Sequence, residues 1–72
     1  MNALRFKIKL EELEMLDWEM WGSDDQEFIR KCAADNNVEF TQRHGIVIFK
    51  GDYQGMYWFM HDLAHRYDIE II

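Results

Sequence analysis

Leu4, Phe6, Ile8 and Leu10 alternate with Arg5, Lys7 and Lys9 at the start of the chain. A period of two puts the apolar side chains on one side of an extended segment, so this stretch predicts a half-buried strand with a basic outer face. From Ser23 the period changes. Phe28, Ile29, Cys32 and Ala33 recur at helical spacing behind Ser23 as N-cap and Gln26 three residues on, as in a capping box. Asp24, Asp25 and Glu27 suit the positive end of that helix, and Asn36-Asn37 ends it. Val38, Phe40 and Gln42 alternate with Glu39, Thr41 and Arg43 in a second strand, and His44-Gly45 predicts a turn. Ile46-Val47-Ile48-Phe49 is apolar on both faces, the pattern of a central strand covered on both sides. Gly51 breaks it and Asp52 caps a second helix, with Tyr53, Met56, Tyr57, Met60, Leu63, Ala64 and Tyr67 as the predicted core stripe. Ile69-Glu70-Ile71-Ile72 forms a short last strand.

The order strand, helix, strand, strand, helix, strand predicts a single α+β domain over 1–72. The expected arrangement is a ferredoxin-like βαββαβ sandwich, a four-stranded antiparallel sheet under two helices. Residues 11–22 stand outside it as an extra short helical or irregular segment. As a helix they bring Leu13, Leu16 and Met20 together with Gly22 as a stop; as a strand they set Leu16, Trp18 and Met20 opposite Asp17, Glu19 and Trp21. The helix is the preferred reading.

With 72 residues, the core supplies only about 3–5 kcal/mol of net stability without a staple. One cysteine makes no internal disulfide, and no Cys/His spacing reads as a structural zinc site. Apolar content of 49% places the chain among folded proteins, and no apolar run is long enough for a membrane span. A reducing, cytoplasmic setting is expected.

Net charge is −6. Between Leu10 and Ile29 stand Glu11, Glu12, Glu14, Asp17, Glu19, Asp24, Asp25 and Glu27 without a single Lys or Arg. Such a block suits a basic partner surface and disfavours direct nucleic-acid binding, which needs clustered cations. Trp18 and Trp21 interleave with these acids, and Trp58 falls on the polar side of the second helix beside His61, Asp62 and His65. Large aromatic residues among charges are what a docking surface uses as anchors. The expected partner-binding set is therefore Glu11, Glu12, Glu14, Asp17, Trp18, Glu19, Trp21, Asp24, Asp25 and Trp58.

His61-Asp62-Leu63-Ala64-His65 places two histidines one turn apart, as in helical zinc sites, but with Asp for the Glu of the hydrolytic motif and no third ligand nearby. His61 and His65 are weak metal candidates only. No cofactor and no catalytic residue is expected, and Cys32 on its apolar stripe behaves as a small hydrophobe. The expected function is an acidic interaction module that docks on a larger basic or nucleic-acid-binding protein and inhibits or regulates it, as a DNA mimic in one version. The alternative is a homo-oligomeric domain, a homodimer in its simplest form, that binds a small regulatory ligand. A zinc-dependent activity at His61 and His65 is a distant third.

Overall fold

The computed structural model describes residues 3–72. Strand β1 (Ala3–Lys9) turns through Leu10-Glu11 into β2 (Glu12–Met15), and a 3₁₀ turn over Trp18–Met20 leads to helix α1 (Ser23–Asp35). Strands β3 (Glu39–Arg43) and β4 (Ile46–Lys50), helix α2 (Tyr53–Ala64) and strand β5 (Asp68–Ile71) follow. The sheet order is β3-β4-β2-β1-β5, antiparallel throughout except for the parallel pair β1 and β5. The result is a small α+β domain with a five-stranded mixed sheet and two helices. It is broadly compatible with a βαββαβ arrangement, but the expected four-stranded antiparallel sheet is not what forms.

The extra strand is the first correction. Residues 12–15 are neither helical nor irregular: they pair with β1 in the register Lys9↔Glu12, Ile8↔Leu13, Lys7↔Glu14 and Phe6↔Met15. Each pair is either apolar on apolar or base on acid, so one register satisfies both faces of the hairpin. β2 then takes the place beside β4, and β1 occupies the other flank of β2. The last strand is left with the outer edge of β1, where it runs parallel. β2–α1–β3 is a split βαβ unit with β4 between its strands.

Both helices cover one face of the sheet. Leu4 and Phe6, Leu13 and Met15, and Val47 and Phe49 are all buried on that side, and Phe49 meets Phe59 of α2 at 4.7 Å between ring centres. The opposite face carries no helix. There Arg5, Lys7 and Lys9 face Glu70, Glu14 and Glu12, with ion pairs Arg5–Glu70 at 3.3 Å and Lys9–Glu14 at 3.1 Å. β4 is therefore covered on one side only. Ile46 is exposed and Ile48 half-buried on the open face, so the expected cover on both sides is not found; β2 lies beside the strand.

Local signals mostly act as their chemistry dictates. Asn37 takes a left-handed φ of 58°, and the Val38 amide reaches back to the Ala33 carbonyl at 2.8 Å, closing α1 with a Schellman motif. His44 and Gly45 both have positive φ, as a two-residue hairpin requires. The Asp52 carboxylate accepts from the Gly55 amide at 2.7 Å. Ser23 is different: it is the first helical residue, Gly22 is the N-cap without a side-chain bond, and Gln26 donates instead to the Trp18 carbonyl at 2.9 Å. The expected capping box is replaced by a tie between α1 and the 3₁₀ turn.

Gly55 sits in the first turn of α2, where α2 meets the end of α1. A Cβ there would lie 2.7 Å from the Asn36 carbonyl oxygen and 3.0 Å from the Asp52 carboxylate. Helix propensity favours Gly55→Ala by about 1 kcal/mol. The clash with a backbone oxygen outweighs that, so the variant should lose about 1–3 kcal/mol. A thermal melt checks the sign: an unchanged or raised Tm would mean the two helix ends separate easily.

Candidate functional site

Helix α2 carries two apolar stripes, and only one belongs to the core. Phe59 and Leu63 are fully buried, with Tyr67 beyond the helix and Met56 and Met60 packed at the margin. Tyr53 is 88% exposed, Tyr57 55%, and Ala64 is also exposed. The predicted stripe thus missed Phe59 and included three residues that face outward. The two tyrosines and Ala64, with Met56 and Met60, form the wall of an open groove of about 650 Å³. Its floor is Ile8, Leu13 and Ile69 of the sheet, and the β1–β2 turn closes one end with Leu10 and Glu11, next to Glu12 at the start of β2.

The groove follows from the strand count. Strands lie about 4.8 Å apart and packed helices 8–10 Å apart, so two helices cover about four strands. A fifth strand leaves a strip uncovered, and it falls over β1 and β5. Ile8 lies on the same side as fully buried Leu4 and Phe6 yet is 56% exposed; Ile71, paired with Phe6, is 49% exposed.

Leu10 marks the rim. It is completely exposed and held at a φ of 49°, in the left-handed region that costs a side-chain-bearing residue about 1–2 kcal/mol. A glycine or asparagine would serve the turn better. Neither burial nor backbone preference explains a leucine there. Beside it, exposed Glu11 supplies the charge, while Glu12, at the same end, lies cross-strand from Lys9 and Lys50; no Lys or Arg lines the groove among the described residues.

The sequence-derived partner set is dispersed by the fold. Trp18 is 3% exposed and packs on Phe40 at 5.4 Å, so it is a core residue and no surface anchor. Asp17, with a left-handed φ of 60°, swings that tryptophan inward and pairs with Arg5 at 2.9 Å. Glu14 pairs with Lys9 on the open sheet face. Trp21 is half-buried against Tyr67 at 5.4 Å, and Asp25 accepts the Tyr67 hydroxyl with Arg66 at 3.9 Å. Glu19 and Asp24 are exposed away from the groove liners. Only Glu11 and Glu12 of the acidic block border the groove. Trp58 is 45% exposed and lies edge-on to Tyr57 and to His61, both at 5.2 Å, so it flanks the groove wall without lining it.

His61 and His65 rings stand 4.6 Å apart on α2. Among the described residues no group of three or more His, Cys, Asp or Glu is placed to hold a metal ion. Asp62, between them in sequence, faces α1 and accepts from the Asn36 side-chain Nδ2 at 3.0 Å. Cys32 is buried on α1, and burial, reinforced by the Asp62 and Asp35 charges, pushes its thiol above the usual range, away from the reactive thiolate. No described helix is long and apolar enough to cross a membrane.

Sequence reasoning missed Leu10, Tyr53 and Tyr57 as site residues. The mirror symmetry of Phe6-Lys7-Ile8-Lys9 and Glu12-Leu13-Glu14-Met15 about Leu10-Glu11 was the signal available: it predicts the hairpin and therefore the fifth strand.

No known protein family, curated protein or solved structure matches this chain.

Proposed function

We propose that this chain is a protein-interaction module whose docking surface is the groove between the β1–β2 hairpin and α2. Its occupant is an apolar segment of a larger partner, flanked by basic residues that meet exposed Glu11. The observation that carries this is Leu10, a fully exposed leucine at a left-handed position on the rim of an apolar groove. Such a residue weakens the isolated fold and gains only when something covers it. Methionine and tyrosine walls give adaptable contact area at low entropic cost. The acid-only rim and the net charge of −6 favour a basic partner. They disfavour a second copy, which carries the same net charge of −6 and is repelled at long range. The open face, where Glu12 and Glu14 lie opposite lysines, is less suited to that attraction than the groove end. By occupying a basic site on its partner, the module would inhibit or regulate it.

Leu10→Gly separates docking from folding. Glycine accepts the left-handed turn, so stability should hold or rise, while loss of a leucine contact worth about 1.5–3 kcal/mol weakens binding about ten- to hundred-fold. The test captures partners from a native lysate at low salt, purifies the retained protein, and titrates it against wild type and Leu10→Gly at two salt concentrations. Weaker binding by the variant, and by both proteins at higher salt, supports the reading. Equal affinities with no salt dependence overturn it.

A further inference from the structure

We infer that the groove is the berth of a third helix supplied in trans: an amphipathic helix of about three turns that lies antiparallel to α2, with Lys or Arg in its last turn. This rests on the docking reading above and specifies the occupant. Three observations carry it. The first is the shape of the wall. Tyr53, Tyr57, Met60 and Ala64 recur at i, i+4, i+7 and i+11, the spacing at which one helix presents a ridge to another. That stripe spans twelve residues, about 18 Å of helix, so a matching partner needs three turns.

The second is the floor. Ile8, Leu13 and Ile69 project from three different strands toward the groove, and a helix lying across strand side chains is how α1 and α2 themselves cover this sheet. A docked helix would complete that layer. An extended segment would instead hydrogen-bond to the outer edge of β5 and leave Ile8 and the tyrosines in water.

The third is polarity. Glu11, Glu12 and Gly51 mark the end of the groove where α2 begins, and the opposite end carries His61 and Ala64. Cations on the occupant therefore belong beside the N-terminus of α2. Lys and Arg are most favourable in the last turn of a helix, and antiparallel neighbours align their dipoles favourably. Both preferences are met when the occupant's C-terminal turn lies against Glu11.

The probe is a displayed library of random 16-residue peptides, selected on the full chain and counter-selected on Tyr57→Asp and Leu10→Gly. Tyr57 is more than half exposed, so the charge it acquires stays in solvent and the fold persists. Enriched peptides should carry apolar residues at i, i+3 or i+4, and i+7, with Lys or Arg following that stripe. Synthetic copies should gain helical circular dichroism on binding, and lose about ten-fold or more in affinity to Tyr57→Asp. Groove-dependent peptides with a period of two, or rich in proline, overturn the helix while leaving the docking reading intact. Enrichment that ignores both substitutions, or no enrichment above background, overturns both.

Discussion

Trp18→Ala should leave the chain largely unfolded at room temperature. Trp18 is 3% exposed, its ring rests on Phe40, and its carbonyl accepts the Gln26 side chain that ties α1 to the 3₁₀ turn. Truncating a buried tryptophan to alanine costs about 3–5 kcal/mol. That is the whole net stability expected of a domain this size without disulfide or metal. Trp58→Ala is the matched control: its side chain is 45% exposed, and removing it should change stability by about 1 kcal/mol or less. Urea unfolding followed by far-UV circular dichroism distinguishes the two. A cooperative Trp18→Ala transition within 1 kcal/mol of wild type would mean that this part of the core collapses onto the gap.

The same residue shows why the site was only partly legible. In sequence, Trp18 stands between Asp17 and Glu19 and reads as an aromatic anchor in an acidic tract. What turns it inward is one backbone torsion, the left-handed φ at Asp17, which no periodicity reveals. Asp tolerates that region, so the residue type permitted the turn without requiring it. The elements with clean periods, β1, α1, β3 and β5, were legible within a residue or two. So were the His44-Gly45 turn and the Asp52 cap, whose chemistry is local.

Helix α2 resisted for the opposite reason. Met56 through Met60 is an unbroken apolar run, so several faces satisfy a helical period and the sequence does not say which meets the sheet. The choice was made by tertiary packing, with Phe59 on Phe49, and the rejected stripe became the groove wall. The acidic block likewise read as one surface because only its sum was visible. Pairing β2 with β1 sends Glu12 and Glu14 to a face of lysines, and Tyr67 and Arg66 engage Asp25. A charge run is a property of the chain, whereas a charged surface is a property of the fold.

Stability should fall steeply between pH 10 and pH 12, and most of the fall should vanish in Tyr67→Phe. Burial, reinforced by the hydrogen bond to Asp25 and its negative charge, pushes the Tyr67 hydroxyl from 10.0 up to about 12. The group is thus raised in the native state, and it stabilises as its neutral form. Below pH 10 the hydroxyl is protonated in both states and the contribution is complete. Between 10 and 12 the unfolded chain has released the proton while the native one retains it, so the native state binds more protons and unfolding is favoured as pH rises. Two pH units correspond to about 2–3 kcal/mol, comparable with the net stability of the domain. Tyr67→Phe keeps the ring against Trp21 and Phe28 and gives up the bond to Asp25, at a cost of about 1–2 kcal/mol at neutral pH. The check is urea unfolding at half-unit steps from pH 8 to 12 for both proteins, with ultraviolet difference spectra between them isolating the late phenolate. Parallel stability curves for the two would show that Tyr67 ionises freely in the folded state, and that the contact joining α1 to the end of α2 is weaker than its geometry implies.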